Sequence, residues 1–414
     1  MFLTKENFMK TIDIINNMIM LIFSICYFYQ FIYLIISLIP QKEKEYNDKP
    51  NKIAILIAAR NEEKVIGGLL ESLKEQDYPK EYYDIYLTAD NCSDKTALIA
   101  KSYGVTVFER ENKMQVGKGY VLNFMLKNIA KLNKNYAGYI VFDADNIVDH
   151  NFIKEINRVY NDGHQIITSY RNSKNYADNW ISAGYGLWYL HEACQLSEAR
   201  MRLNSSCAVS GTGFFFSQEV LDKCHGWNFF LLTEDIEFSV FNIVNNERIA
   251  YAKKAIVYDE QPTDFKKSFI QRLRWSKGYL QVFQKYGMRL YLGINEGNFS
   301  CYDMFMNIAP AAILSFSSIL LNVASFILGY GDVQSILKLV IGSYSALFVI
   351  GLTTTITQWN NIYCNNYKKI GYIFTFPLFM LTYIPISIIA IFAKVEWKPI
   401  EHNRSLTLQQ IKKK

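Results

Sequence analysis

Charge is missing from the start of this chain: residues 14–40 contain no Lys, Arg, Asp or Glu. An uncharged apolar run of that length suffices for a helix across roughly 30 Å of hydrocarbon. A cleaved signal peptide would have a shorter apolar core and a small-residue cleavage site, and Ser37-Leu38-Ile39-Pro40-Gln41 is a poor one, so an uncleaved anchor is expected. Close cysteine pairs are missing too. The seven Cys include no CxxC and are scattered along the chain, which indicates neither a zinc site nor a disulfide framework. Internal repeats and low-complexity linkers are absent. The net charge of +6 is modest, and much of it borders apolar runs, which suits anionic lipid headgroups better than nucleic acid.

Half of the 414 residues are hydrophobic, and they are unevenly spread. Three further apolar runs, near 305–330, 335–357 and 371–394, close the chain, separated by turns at Gly329 to Asp332 and Asn360 to Lys369. The block between about 50 and 300 has ordinary soluble patterning. The expected division is an anchor at 1–45, a soluble domain at 46–264, an amphipathic interfacial segment at 265–300, membrane helices at 301–398 and a basic tail at 399–414. Lys42, Lys44, Lys49 and Lys52 outnumber Lys5 and Lys10 across the first span, which places the soluble domain in the cytoplasm of a multi-pass cell-membrane protein. Three later spans would then put the basic tail outside, against the same bias. Either one C-terminal segment lies along the membrane surface, or the tail is an exception.

Within the soluble block, Ile53 to Ala59 is a continuous apolar run of the kind found in buried parallel strands. A helix is expected from Val65 to Lys74, a strand from Tyr83 to Ala89, a helix from Ser93 to Tyr103 with Ser93 as N-cap, and a strand from Val105 to Glu109. A helix from Tyr120 to Leu132 and a strand from Tyr139 to Phe142 follow. This alternation predicts an α/β sheet with mainly parallel strands, in which ligands bind beyond the carboxyl ends of the strands. Polar clusters fall at three such ends: Arg60 to Glu63, Asp90 to Asp94, and Asp143 to Asp145. The first of these, with Ala58 just before it, supplies the candidate ligand contacts Ala58, Arg60 and Glu62.

Asp143 and Asp145 are two apart on an extended segment, so their carboxylates can share a face and converge on one cation, Mg²⁺ or Mn²⁺, that also takes substrate phosphates. An isolated pair of this kind is more often a solvated acidic turn. Ser93 and Asp94 could simply cap a helix, but a cap does not explain Asp90. Gly117-Lys118-Gly119 offers a cation on a flexible backbone for a phosphate or a pyrimidine carbonyl. Gly211 and Thr212, ahead of Phe214-Phe215-Phe216, permit close backbone approach, with an acceptor pocket and a strand-entry turn equally open. Thr233-Glu234-Asp235 reads locally as a helix start. Gln271-Arg272-Leu273-Arg274-Trp275 lies on an amphipathic segment, Phe265 to Tyr286. Arg272 and Arg274 do not share a helix face, so one can meet a diphosphate while the other pairs elsewhere, and Trp275 offers a flat surface for a sugar or an interfacial anchor.

The ordered set Asp90-Asn91-Cys92-Ser93-Asp94, Asp143-Ala144-Asp145, Thr233-Glu234-Asp235 and Gln271 to Trp275 resembles the membrane-integrated family 2 glycosyltransferases, the group of cellulose, hyaluronan and poly-N-acetylglucosamine synthases. The likeness spans about residues 52–285, and Lys394-Val395-Glu396-Trp397-Lys398 looks like the segment after the last membrane helix of relatives. The resemblance implies a GT-A (Rossmann-like) domain inserted between transmembrane helices. It also implies Asp90 at the nucleotide base, with Lys118, Asp143 and Ala144 at the nucleotide-sugar and Asp143 and Asp145 at the metal. Asp235 is the implied general base with Glu234 beside it, and Gln271, Arg272, Arg274, Trp275, Gly211 and Thr212 lie toward the diphosphate and acceptor. The expected activity is an inverting, metal-dependent transfer from a UDP-sugar to a growing polysaccharide, with partner subunits possible for export. The alternative is addition of a single sugar to a polyprenyl phosphate or another lipid. A non-catalytic transport or scaffold component is a remote third reading, because few ionisable residues beyond Lys338 interrupt the apolar runs.

Overall fold

A computed structural model of the chain describes residues 5–41, 44–308, 310–330 and 333–413. Lys42, Gly331, Asp332 and Lys414, used in the sequence reading, lie outside them. The soluble block is built on one mixed sheet of eight strands: β1 Ile53–Ala59, β2 Tyr83–Asp90, β3 Thr106–Arg110, β4 Gly138–Asp143, β5 Ile147–Val148, β6 Ile166–Ser173, β7 Phe214–Ser217 and β8 Ile249–Asp259. Their order across the sheet is β3-β2-β1-β4-β7-β6-β8-β5.

The half formed by β1 to β4 is parallel throughout. β7 breaks the pattern by running antiparallel to both β4 and β6. The triple-Phe run is apolar in either direction, so its sequence does not reveal the reversal. The reversal has a spatial consequence. Val141 pairs with Phe214, so the residues just before β7, Ser210 to Thr212, stand beside the carboxyl end of β4.

Alternate residues of the strands feed two cores, as the pleat requires. Ile53, Ile55 and Ile57 join Leu69, Leu70 and Leu73 of the helix Ile66–Lys74 on one face. Ala54 and Leu56 join Leu122 and Met125 of the helix Lys118–Ala130 on the other. The expected helix at 93–103 is shorter, Thr96–Ser102, and Ser93 does not cap it. Instead Asp94 accepts hydrogen bonds from the Thr96 amide and hydroxyl, while the Ser93 amide donates to Asn61.

Among the described residues, three helices are long and apolar enough to cross a membrane: Met9–Leu38, Val333–Thr357 and Asn366–Phe392. The run expected at 305–330 divides into helices Phe299–Ile308 and Pro310–Ile327. The first of these is held to the soluble block by Asp303, which pairs with Arg200; the apolar part left over, Ser317–Ile327, is short. The segment Asn366–Phe392 changes helix at Thr382, and both its ends touch the soluble block. Lys368 donates to the Ala177 carbonyl (2.8 Å) and Lys277 to that of Ala390 (3.0 Å). The tail returns to the same block, with Leu408 and Ile411 buried against Ile147 and Tyr258. Both ends of this segment, and the tail after it, thus stand against the same block.

Candidate active site

The strand ends open into one cavity of about 1150 Å³. Ala58, Arg60, Glu62, Asp90, Lys118, Asp143, Ala144, Asp145, Gly211, Glu234, Asp235, Gln271, Arg274 and Trp275 all line it. Fourteen of the residues singled out in the sequence thus meet in one space.

At the β2 end, Asp90 is buried and paired with Arg110 at 2.5 Å, and Arg110 also donates to the Gln115 carbonyl. This fixes the Asp90 carboxylate at the cavity wall. At the β4 end, Lys118 bridges the Asp143 carboxylate and the Gly211 carbonyl. Gly119 lets the lysine's helix approach this closely, since a methyl group there would lie 2.0 Å from the Phe229 carbonyl oxygen. Asp145 accepts from the Glu260 amide at 2.7 Å. Burial opposes its charge, but nearby His402 and Lys174 hold its carboxyl below the usual range.

Asp235 sits in the first turn of the helix Glu234–Val244. Phe238, one turn on, stacks on Trp227 with ring centroids 5.2 Å apart and also meets Phe214 and Phe216 of β7. This aromatic cluster clamps the helix to the sheet. Gly211, with φ +81°, faces the acid: a methyl group there would stand 3.3 Å from Asp235 Oδ2. Asp143, Lys118, Gly211 and Asp235 therefore form one connected line. Burial pushes the Asp235 carboxyl up, and burial together with the Asp235 charge carries Glu234 up to about 7.

The helix Phe265–Asn295 carries Gln271 to Trp275. Trp275 meets Tyr185 edge-on at 5.8 Å, and Arg274 lies 6.0 Å from the Trp397 ring. Two of the predicted site residues stand elsewhere. Arg272 is fully buried and does not line the cavity. It donates to Thr382 Oγ1 (2.6 Å) and the Phe379 carbonyl (3.3 Å), among the rings of Phe379 and Tyr383. The helical spacing that separates it from Arg274 turns it toward the helix change at Thr382, not toward a diphosphate. Thr212 is also buried behind the wall, where its hydroxyl accepts from the Asp143 amide and bonds to Asn146. It positions Asp143 and faces no ligand.

Several cavity residues escaped the sequence reading. Arg171, near the end of β6, pairs with Asp259 and donates to the Ser210 carbonyl; the strand-end rule applied to β6 would have found it. His402, in the tail, lies 3.0 Å from Glu62. Burial opposes its charge, but Asp145 and Glu62 carry its pKa up to about 10. Trp397, noted in the sequence only as part of the segment after the last apolar run and given no site role there, spreads over both Arg60 and Arg274. No local motif marks the His402 pairing or Glu192, a further lining residue.

Among the described residues, no group of three or more His, Cys, Asp or Glu side chains could hold a metal ion. Asp143 and Asp145 supply two hard oxygens, a set that suits Mg²⁺ or Mn²⁺ completed by substrate phosphates and water. With two cations, Lys118 and Arg274, beside carboxylates of two kinds, the cavity can bind a diphosphate and accept a proton from a neighbouring hydroxyl.

Residues 50–278 match the model of a family described as glycosyltransferase-like family 2. A β-monoglucosyldiacylglycerol synthase of Trichormus variabilis is 27% identical over 292 residues, covering 67% of this chain and 59% of its own length. A probable glycosyltransferase, YdaM of Bacillus subtilis, is 24% identical over 270 residues, covering 60% of each. The chain thus spans about three fifths of the length of these relatives. A mannosyltransferase of Pyrobaculum calidifontis, solved with GDP-Man and Mn²⁺, aligns with a TM-score of 0.59 over 91% of this chain and 98% of its own, at 12% identity. That likeness is one of fold: the architecture is GT-A-like, with apolar helices at both ends.

Proposed function

The chain belongs to the family 2 glycosyltransferases, and on that premise we propose that it transfers a single sugar from a UDP-sugar to the hydroxyl of a lipid at the membrane. The observation that carries this reading is the continuity of the cavity. From Asp143 and Asp235 it runs on between the apolar helices, past Tyr27 and Leu34, Ala346 and Ile350, and Ile384 and Ile388. None of the lining residues from those helices is a Lys, Arg, Asp or Glu. Their polar lining residues, Gln30, Asn307, Ser343, Thr353 and Ser387 among them, are outnumbered by apolar ones; a hydroxyl-rich polysaccharide would need a partner for each hydroxyl along the wall, whereas a hydrocarbon tail needs none. The lipid alternative is therefore preferred over the growing polymer expected first, and the diacylglycerol-directed name of a relative over two thirds of the chain supports it.

In the proposed reaction, Asp90 and Arg110 hold the nucleotide end, and Lys118 and Arg274 face the diphosphate. Asp235 takes the proton of the acceptor hydroxyl as its oxygen bonds to the anomeric carbon. The bond from that carbon to the phosphate oxygen breaks, and UDP leaves with the electron pair, giving inversion. General-base assistance of this kind contributes about 10²–10⁴-fold. A divalent ion held by Asp143 and Asp145 would supply charge stabilisation to the departing diphosphate. Trp397, stacked on Arg60 and Arg274, closes the donor side against water. The soluble domain and tail lie on one face of the membrane, the cytoplasmic one by the bias of basic residues.

Membranes containing the full chain, incubated with a panel of radiolabelled UDP-sugars, should place the label in a single solvent-extractable lipid. A ladder of polymer lengths would overturn the reading. Asp235→Asn should abolish this transfer with UDP affinity retained, and full activity in that variant would remove Asp235 from the base role.

A further inference from the structure

Glu192 opens a π-helical turn, Glu192–Ser197, that follows the helix Trp180–His191. π-Turns inside helices occur frequently at functional sites. Its side chain lines the cavity and has no hydrogen-bond or ion-pair partner among the described residues. Its surroundings are committed elsewhere. Arg171 is engaged by Asp259 and Ser210, Arg200 by Asp303, and His191 by Gln195 at 2.6 Å. Burial raises the Glu192 carboxyl, and the charge of Asp235 adds to the rise. Glu192 is partly exposed to the cavity, so its carboxylate is open to a hydrogen-bond donor from a bound ligand.

The position of Glu192 limits that ligand. The cavity's cations, Arg60, Lys118, Arg171, Arg274, Lys398 and His402, belong to the soluble block and tail, and the walls from the membrane helices carry none. The cations nearest Asp235 are Lys118 and Arg171, and both are already paired, with Asp143 and Asp259, while the carboxylates Glu192 and Glu234 stand close by, so an anionic head finds no uncommitted cation there. A second hydroxyl beside the reacting one would instead give Glu192 the donor it lacks.

We propose that Glu192 and the apolar gallery form the acceptor site for an uncharged amphiphile with two head-group hydroxyls. One hydroxyl reacts at Asp235, the other donates to Glu192, and the hydrocarbon tail lies between Tyr27, Ala346, Ile350 and Ile388. Glu192 takes no part in the proton transfer and acts as a specificity residue. This inference rests on the lipid-acceptor reading and goes beyond it by excluding polyprenyl phosphates.

The test uses the full chain in detergent with the active UDP-sugar and three acceptors: a monoacylglycerol, the long-chain alcohol of matching length, and a polyprenyl phosphate. The wild type should prefer the diol over the mono-alcohol by about ten- to a hundredfold in kcat/KM, the range for a hydrogen bond to a charged group. It should leave the polyprenyl phosphate unlabelled. Glu192→Gln should erase most of that preference while binding UDP as the wild type does, and Glu192→Asp should restore part of it. Ala346→Phe, which narrows the gallery, should lower transfer to long-chain diols more than to short-chain ones. An unchanged diol preference in Glu192→Gln, or a wild type that favours the polyprenyl phosphate, overturns the inference while lipid transfer itself stands. Labelling of no lipid at all overturns the lipid reading and this inference together.

Discussion

Asp303 offers the sharpest test of how the N-terminal helix is fixed to the soluble block. Its carboxylate receives four hydrogen bonds: Arg200 Nε at 2.7 Å and Nη2 at 2.8 Å, Tyr29 hydroxyl at 3.0 Å and Tyr33 hydroxyl at 2.8 Å. The Arg200 and Asp303 side chains are only 4% and 2% exposed, so solvent cannot replace a lost partner. Removing one member of a buried pair strands the other charge, at a cost of about 3–5 kcal/mol. Each tyrosine hydroxyl adds about 1 kcal/mol, and because neighbouring terms do not add fully, Asp303→Leu should lose about 4–6 kcal/mol. That is comparable with the whole stability of many domains, about 5–15 kcal/mol. The double variant Arg200→Met/Asp303→Leu removes both charges and should recover at least about 2 kcal/mol of the loss. Denaturant unfolding of the detergent-solubilised chain, followed by tryptophan fluorescence, measures both. A loss below about 1 kcal/mol for Asp303→Leu, or strict additivity in the double variant, would refute the reasoning. The outcome also bears on the proposed function, because Tyr27 and Leu34 on the same helix line the cavity.

The two arginines of Gln271 to Trp275 should separate by assay. Arg274→Ala should lower kcat about 10²–10³-fold, as removal of a charge-stabilising group does, with normal unfolding. Arg272→Ala should leave UDP affinity near that of the wild type but lower the unfolding midpoint, since its partners lie at Phe379 and Thr382. Measurement of kcat against denaturant midpoint for the pair checks this. The acid limb of kcat/KM should lie above the ordinary aspartate range, because burial raises Asp235 and the base must be deprotonated to work. Glu234, carried up by burial and the Asp235 charge, is still neutral where Asp235 ionises, so Glu234→Gln should leave that limb close to its wild-type position. A limb clearly displaced in the pH profile would contradict the assignment.

Much of the donor side was legible because it follows local rules. The apolar run Ile53–Ala59 carries the signature of a buried parallel strand, and the polar residues after β1, β2 and β4 fall where parallel sheets bind ligands. The carbonyl-to-amide pairing of a parallel strand is invisible in sequence, but its exit is not. The acceptor side follows no such rule. Helical spacing told Arg272 from Arg274 without telling which of them faces the cavity; that choice is made by Phe379 and Thr382, more than a hundred residues away. His402 meets Glu62 across 340 positions, and neither residue has a neighbour that announces the other.

The reversal of β7 shows why the polar clusters work as one site. Had β7 run parallel to β4, Gly211 would enter at the opposite edge of the sheet, and Lys118 could not bridge it to Asp143. Asp235 would then face empty space where Gly211 now stands. Phe214 and Phe216 of this short strand pack with Trp227 and Phe238 in one aromatic core. The side chains that hold the Asp235 helix in place thus lie in the strand that brings Gly211 to Asp143. One cluster of rings couples the position of Asp235 to that of Gly211 and Asp143, and loosening it should separate these residues before it unfolds the sheet.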